Sequence, residues 1–252
     1  MIKYQNFLLI LVILIFTFSP LLAGNIDYDN LITIQKGELP VVISVPHGGK
    51  IKLNNLPVRT MGVMVTDLHT REIADSIQDE LYKRTGKKAY MIAAKINRKY
   101  VDFNAKEGDK AYENEEAASI YQYYQEMIHQ FIVSAKSISA GNALLIDIHA
   151  QKRNPEVIFR GTRNGTTANL NKLYAKSGLI TNMIQDGLKV EPDNILDKEV
   201  NFNGGNIVYD SGQYGIDAVQ LEFGKNYTSE ASDTGKKIAD AIIIYLKNNK
   251  DL

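Results

Sequence analysis

The chain is 252 residues long and 44% hydrophobic, with 29 basic residues against 29 acidic ones and no cysteine. Size and apolar content suit one large domain or two small ones with a full core, and the balanced charge excludes an electrostatic nucleic-acid binder. Without cysteine there is no disulfide scaffold, thiolate catalyst or thiolate metal ligand, so a metal would have to sit on carboxylates and on His47, His69, His129 or His149.

Met1 to Gly24 read as a secretory signal: Lys3 supplies the positive start, Phe7 to Phe16 an unbroken apolar run, and Leu21-Leu22-Ala23-Gly24 small residues for cleavage. A retained N-terminal anchor is the alternative. The expected location is periplasmic or extracellular, with no membrane contact after cleavage and an open oligomeric state. Residues 25–252 show no repeat, low-complexity stretch or Pro/Gly-rich linker, which predicts one domain.

Val41 to Val45 is a β-branched run closed by Pro46-His47-Gly48-Gly49, a buried strand entering a tight loop. Leu68 to Tyr82 carries Ile73, Ile77 and Leu81 at helical spacing. Lys88 to Ile96 predicts a strand and Glu113 to Ser139 a long amphipathic helix, with His129 an ordinary surface or packing residue on it. Ala143 to His149 is the most strand-like run, and Pro155 to Arg160 predicts another strand. Ala168 to Leu188 predicts a helix, Asn203-Gly204-Gly205 a hairpin turn, Ala218 to Phe223 a strand and Ser232 to Asn248 a closing helix. Strands alternating with helices, and apolar on both faces, define an α/β layer with helices on both sides. In such sheets ligands sit at the strand-end loops.

His47 and His149 each follow or end a predicted buried strand. A lone histidine there is more often a hydrogen-bonded core residue, but two at strand ends favour a metal centre of imidazole and carboxylate. Asp67 and His69 both stand as candidates for the third ligand, Asp67 also reading as a helix N-cap. Asp147 is placed to orient a ligating imidazole. Arg98 is placed to clamp an anion, or equally to form a surface ion pair with Asp102. The polar loop Arg160 to Thr167 suits backbone N–H groups facing an anion, or a plain turn and helix cap. Glu222 interrupts an apolar strand and needs a partner to justify its burial; beside a metal it fits a general base.

Taken together, Ser44-Val45-Pro46-His47-Gly48-Gly49, Asp67-Leu68-His69, Asn97-Arg98 with Val101-Asp102-Phe103-Asn104, Ile146-Asp147-Ile148-His149 and Gln220-Leu221-Glu222-Phe223-Gly224 resemble, in order, the N-formylglutamate amidohydrolase family. The resemblance covers essentially all of residues 25–252 and implies a mixed, mostly parallel central sheet of the zinc-exopeptidase type. It implies Zn2+ on His47, Asp67 and His149, with Glu222 as the base that activates the zinc-bound water and Arg98 polarising the scissile carbonyl or holding a substrate carboxylate. Asn104 lies nearby as a substrate-binding residue. The family pattern Asp-x-Asn-Arg ends here in Ala105, so Arg98, Arg160 or Arg163 would replace the missing carboxylate clamp. That departure and the export signal both point away from N-formylglutamate itself. The implied activity is zinc-dependent hydrolysis of an amide in a small carboxylate-bearing N-acyl amino acid or peptide-like substrate. An exported metallo-carboxypeptidase or a γ-glutamyl or cell-wall peptide amidase fits the same residues. A non-catalytic anion-binding protein on the same fold is the reading from another class.

Overall fold

The computed structural model describes residues 26–139 and 143–252; the signal reading of residues 1–24 lies outside the described residues. Seven strands form one sheet: β1 (Ile32–Gln35), β2 (Val41–Val45), β3 (Tyr90–Ala94), β4 (Leu144–Ala150), β5 (Ile158–Gly161), β6 (Val190–Glu191) and β7 (Asp217–Phe223). The helices are α1 (Tyr28–Leu31), α2 (Thr70–Thr85), α3 (Glu115–Ile138), α4 (Leu170–Leu173), α5 (Leu179–Gln185), α6 (Asn206–Gly212), α7 (Lys225–Ser229) and α8 (Ala231–Asn248).

β2, β3 and β7 are buried along their whole length and β4 up to its last residue, so both of their faces need cover, the condition that produces a parallel core with helices above and below. The strand order is β1-β3-β2-β4-β7-β5-β6. β3, β2, β4 and β7 run parallel to one another, while β1 and β5 are antiparallel to their inner neighbours, giving a mixed sheet with reversed edges. The stripe Ile73, Ile77 and Leu81 of α2 packs with α5 and α8 on one face. α3, through Ile120, Tyr124, Ile128 and Phe131, covers the other face with α6. The ends of these helices are set locally: Gly86 closes α2 at φ 72, a backbone that glycine adopts without strain, and the Asn114 side chain caps α3 by accepting from the Ala117 N–H. Among the described residues no helix is long and apolar enough to cross a membrane.

Two expectations are corrected here. The single helix over 168–188 is two short helices, because Gly178 lies so close to the end of α4 that a Cβ on it would fall 2.1 Å from the Leu173 carbonyl oxygen. The chain turns there instead of continuing. Asn203-Gly204-Gly205 is not a hairpin turn; it leads into α6, with Gly204 at φ 105 and Gly205 as the N-cap.

Candidate metal centre

The parallel strands deliver their polar residues to one place. Register pairs Ser44 of β2 with Asp147 of β4, and His149 of β4 with Glu222 of β7. Because side chains alternate along a strand, Asp147 and His149 share a face with Gln220 and Glu222. His47 stands two residues beyond β2. The loop from β2 to α2 then returns Asp67 to the same point, where its backbone N–H donates to the His47 carbonyl at 3.0 Å. The N-cap of α2 is His69, at φ 64 and without a side-chain cap bond, so the Asp67 carboxylate is free for other work. It accepts from the Ala150 N–H at 3.3 Å and faces both imidazoles.

Three buried donor atoms converge there. His47 Nδ1 lies 3.1 Å from His149 Nδ1 and 3.5 Å from Asp67 Oδ2, and His149 Nδ1 lies 3.1 Å from Asp67 Oδ2. Three ligands at zinc bond lengths in a tetrahedron stand about 3.3–3.4 Å apart. The outer ring nitrogens settle the tautomers. His47 Nε2 meets Asp102 Oδ1 at 2.7 Å and His149 Nε2 meets Asp147 Oδ2 at 2.8 Å. A carboxylate only accepts, so each neutral ring carries its proton on Nε2 and turns the Nδ1 lone pair inward. Two lone pairs and a carboxylate oxygen facing one point repel unless a cation sits between them. A proton bridges two atoms, whereas this geometry joins three.

The charge balance agrees. With both imidazoles neutral, Asp67, Asp102, Asp147 and Glu222 contribute four negative charges, and Arg59 and the partly buried Arg98 two positive ones, leaving −2 around the centre. A divalent ion neutralises it. Burial works against ionisation of Asp67, yet its contacts with His149 and His47 hold it well below the usual carboxylate range. Asp102 is likewise held low against its burial by His47 and Arg98. Burial would push His149 down, but Asp147, Asp67 and Glu222 outweigh it and raise its pKa; without an ion this ring draws a second proton on Nδ1, the position a divalent ion would take in its place. Glu222 behaves in the opposite way: burial, reinforced by Asp67, raises its pKa against the pull of the histidines. Two carboxyl groups driven apart in this way, in one pocket, mark a site where a proton can be taken and returned.

The surrounding residues orient this set. Arg98 grips Asp102 Oδ2 through Nε at 3.0 Å and Nη2 at 2.9 Å, and its Nη1 stands 3.8 Å from Asp67 Oδ1. The pair expected at the surface is largely buried. Asn104 accepts the Ile207 N–H on Oδ1, which leaves its amide nitrogen to donate to Gln220 Oε1 at 3.4 Å. The Gln220 amide accepts from Gly205 and donates to Glu222 Oε1 at 2.7 Å.

His47, Asp67, His149, Glu222, Arg98 and Asn104 therefore meet. His69 is half exposed beside Glu72, and His129 stacks on Tyr214 over α3. Arg163 lies beyond Gly205, whose carbonyl it reaches at 3.5 Å, with its guanidinium over Tyr209. Arg160 is elsewhere: it pairs in register with Leu221, on the face opposite Glu222. The polar loop 161–167 does present N–H groups to an anion, the carboxylate of Glu199, which accepts from Thr162 at 2.9 Å and Asn164 at 2.7 Å. Three residues of the site carry no role of their own in the sequence. Gln220 and Asp102 stand only within motif runs, Asp102 also as an ion-pair partner of Arg98. Arg59 carries no motif, since its role is to bind the carbonyls of Met61, Val63, Arg98 and Lys110 and so fix the loop.

The fold and these three donors define an α/β protein with a buried His-Asp-His centre at the carboxyl ends of parallel strands. No family model matches the sequence and no curated protein matches it. Among solved structures, the chain is similar to N-formylglutamate amidohydrolase from Ralstonia eutropha, with TM-score 0.59, 13% identity, and coverage of 88% of this chain and 98% of that one. A gene product of Agrobacterium tumefaciens gives TM-score 0.58 at 14% identity, with coverage of 89% and 95%. A structure assigned as a carboxypeptidase, from Burkholderia mallei, gives 0.51 at 13% identity, covering 82% of this chain and 56% of that one. The mixed, mostly parallel sheet with helices on both faces is thus the fold shared with these structures.

Proposed function

We propose that the protein is an exported zinc-dependent hydrolase that cleaves an amide bond in a small carboxylate-bearing N-acyl amino acid or peptide-like substrate. The observation that carries this reading is the convergence of His47 Nδ1, His149 Nδ1 and Asp67 Oδ2 with both outer ring nitrogens held by carboxylates. Two nitrogens and one oxygen at that spacing are the ligand set of a catalytic zinc centre that keeps a position open. A divalent ion held there supplies Lewis acidity, which polarises a carbonyl and acidifies water.

The chain's own residues supply the rest. Glu222, with its raised pKa and one carboxylate oxygen fixed by Gln220, takes a proton from the attacking water and delivers it to the leaving nitrogen. Arg98, anchored by Asp102, offers charge to the developing oxyanion. Loss of one such donor typically costs about 2.7–4 kcal/mol in the transition state. Asn104 and Arg163, both next to Gly205, are the proposed substrate contacts. The fold likeness to an amidohydrolase supports amide cleavage, and the leader-like residues 1–24 support export.

The test combines metal analysis of the purified protein with hydrolysis assays over N-acyl amino acids and short peptides. About one zinc per chain, chelator-sensitive turnover, and a Glu222→Gln variant that keeps its metal but loses at least a hundredfold in kcat are the expected results. Turnover in Glu222→Gln equal to that of the parent would remove Glu222 from the mechanism, and indifference to chelation would remove the metal.

A further inference from the structure

A second polar site lies at the open edge of the sheet. Arg160 is completely buried, and its guanidinium is only half used. Nη1 pairs with Glu199 Oε1 at 2.8 Å and with Thr162 Oγ1 at 3.1 Å, whereas Nε and Nη2 have no hydrogen-bond partner. Those two nitrogens form the side of the guanidinium fork that grips a carboxylate with two parallel bonds. Arg98 directs the same pair of atoms at one carboxylate oxygen of Asp102. Glu199 cannot turn to the free side, because its two oxygens already accept from Thr162 and Asn164. The Tyr174 ring lies 5.3 Å from the guanidinium carbon and its hydroxyl proton goes to the Pro192 carbonyl. Leaving a buried charged donor unpaired is costly, so such a group calls for a partner.

Arg160 lines a cavity of about 370 Å³ between the end of β6 and the segment 193–202. That volume is within the range of small-molecule sites. With the Arg160–Glu199 pair cancelling, the remaining charges on its wall are Lys189 and Lys198 against Glu191, Asp193 and Asp197, two positive and three negative. A polyanion is disfavoured there, while a molecule joining a carboxylate to an ammonium group suits both the fork and the acidic wall. Leu196, 85% exposed, and Val200, 86% exposed, leave the segment on either side of the anchored Glu199 with few buried contacts. It can yield to a ligand reaching the fork.

We infer that this cavity binds a free amino acid, its carboxylate on Arg160 Nε and Nη2 and its ammonium on the acidic wall. The site is separate from the metal centre, because Arg160 leaves the sheet on the face opposite Glu222. It stands whether or not the chain is a hydrolase.

The test is a titration of the full chain, zinc present, with L-alanine and with L-alaninamide, followed by the NMR signal of the Arg160 Nε–H. That signal is identified by its loss in Arg160→Lys and, should that variant not fold, by its contacts with the Tyr174 ring protons in the parent. The expected result is saturable movement of this signal with L-alanine, none with L-alaninamide, and a Kd at least tenfold weaker in Arg160→Lys. No movement at tens of millimolar L-alanine would mean that only water meets the fork. Equal response to both compounds, or undiminished affinity in Arg160→Lys, would place binding elsewhere; each of these outcomes overturns the inference.

Discussion

Asp147 is fully buried on β4, with Oδ2 against His149 Nε2 and Oδ1 without a hydrogen-bond partner. An isolated carboxylate in that position would be a heavy cost; next to an imidazole that must present a lone pair on its far side, it is what fixes the tautomer. Replacing it with asparagine changes one oxygen to NH₂ and no volume. The amide can then donate to Nε2, which moves the ring proton to Nδ1 and aims it at the metal position. Asp147→Asn is therefore expected to weaken zinc binding about 10–100-fold, the range for such outer partners, in a fold that is otherwise intact. Competition against a chelator of known affinity measures it, and an unchanged affinity would show that Asp147 does not set the proton. The dipeptide spacing Asp147-Ile148-His149 made this pairing readable from sequence, because alternate strand residues share a face. Asp102 was not readable in the same way, since its contact to His47 spans 55 positions of chain and depends on how two separate loops meet.

Among the elements, the strands and the long helices were legible and the short pieces between them were not. β2, β4 and β7 are apolar runs of five to seven residues, and α2, α3 and α8 carry periodic stripes that only a helix can bury. β1, β6 and α6 are two to seven residues long and owe their conformation to what they lean on rather than to any pattern of their own. α6 shows why. It starts at Gly205, whose N–H bonds Gln220 Oε1 and whose Cα is so close to Asn104 that a Cβ would fall 2.1 Å from the amide nitrogen. Asn104 cannot retreat, because it is held by the Ile207 N–H. Gly205→Ala is thus expected to overpack this junction by about 1–3 kcal/mol. At about 2–4 °C per kcal/mol for a chain of this size, the Tm falls by several degrees. Thermal unfolding reads the loss, and a Tm equal to that of the parent would mean that Asn104 and α6 are free to separate.

At the scale of the whole molecule, the centre is made of groups 20 and 82 positions apart along the chain, on a loop and two strand ends that meet only after β2, β4 and β7 have paired in register. The unfolded chain has no such arrangement, so an ion that binds the native centre stabilises the entire fold. With free zinc a thousandfold above its Kd, linkage gives about 4.1 kcal/mol, and thus a Tm about 8–16 °C above that of the chelated protein. His47→Ala and His149→Ala are each expected to abolish the difference between chelated and zinc-loaded samples, because each removes one of three ligands. Asp147→Asn, with its ligands intact but one ring misprotonated, is expected to keep part of it. Scanning calorimetry of the parent and the three variants, with and without chelator, distinguishes a native metal centre from a merely hydrogen-bonded cluster. A hydrogen-bonded pair of imidazoles loses stability in both histidine variants yet leaves the parent's Tm indifferent to chelation, and that pattern would defeat the assignment of these residues to a metal.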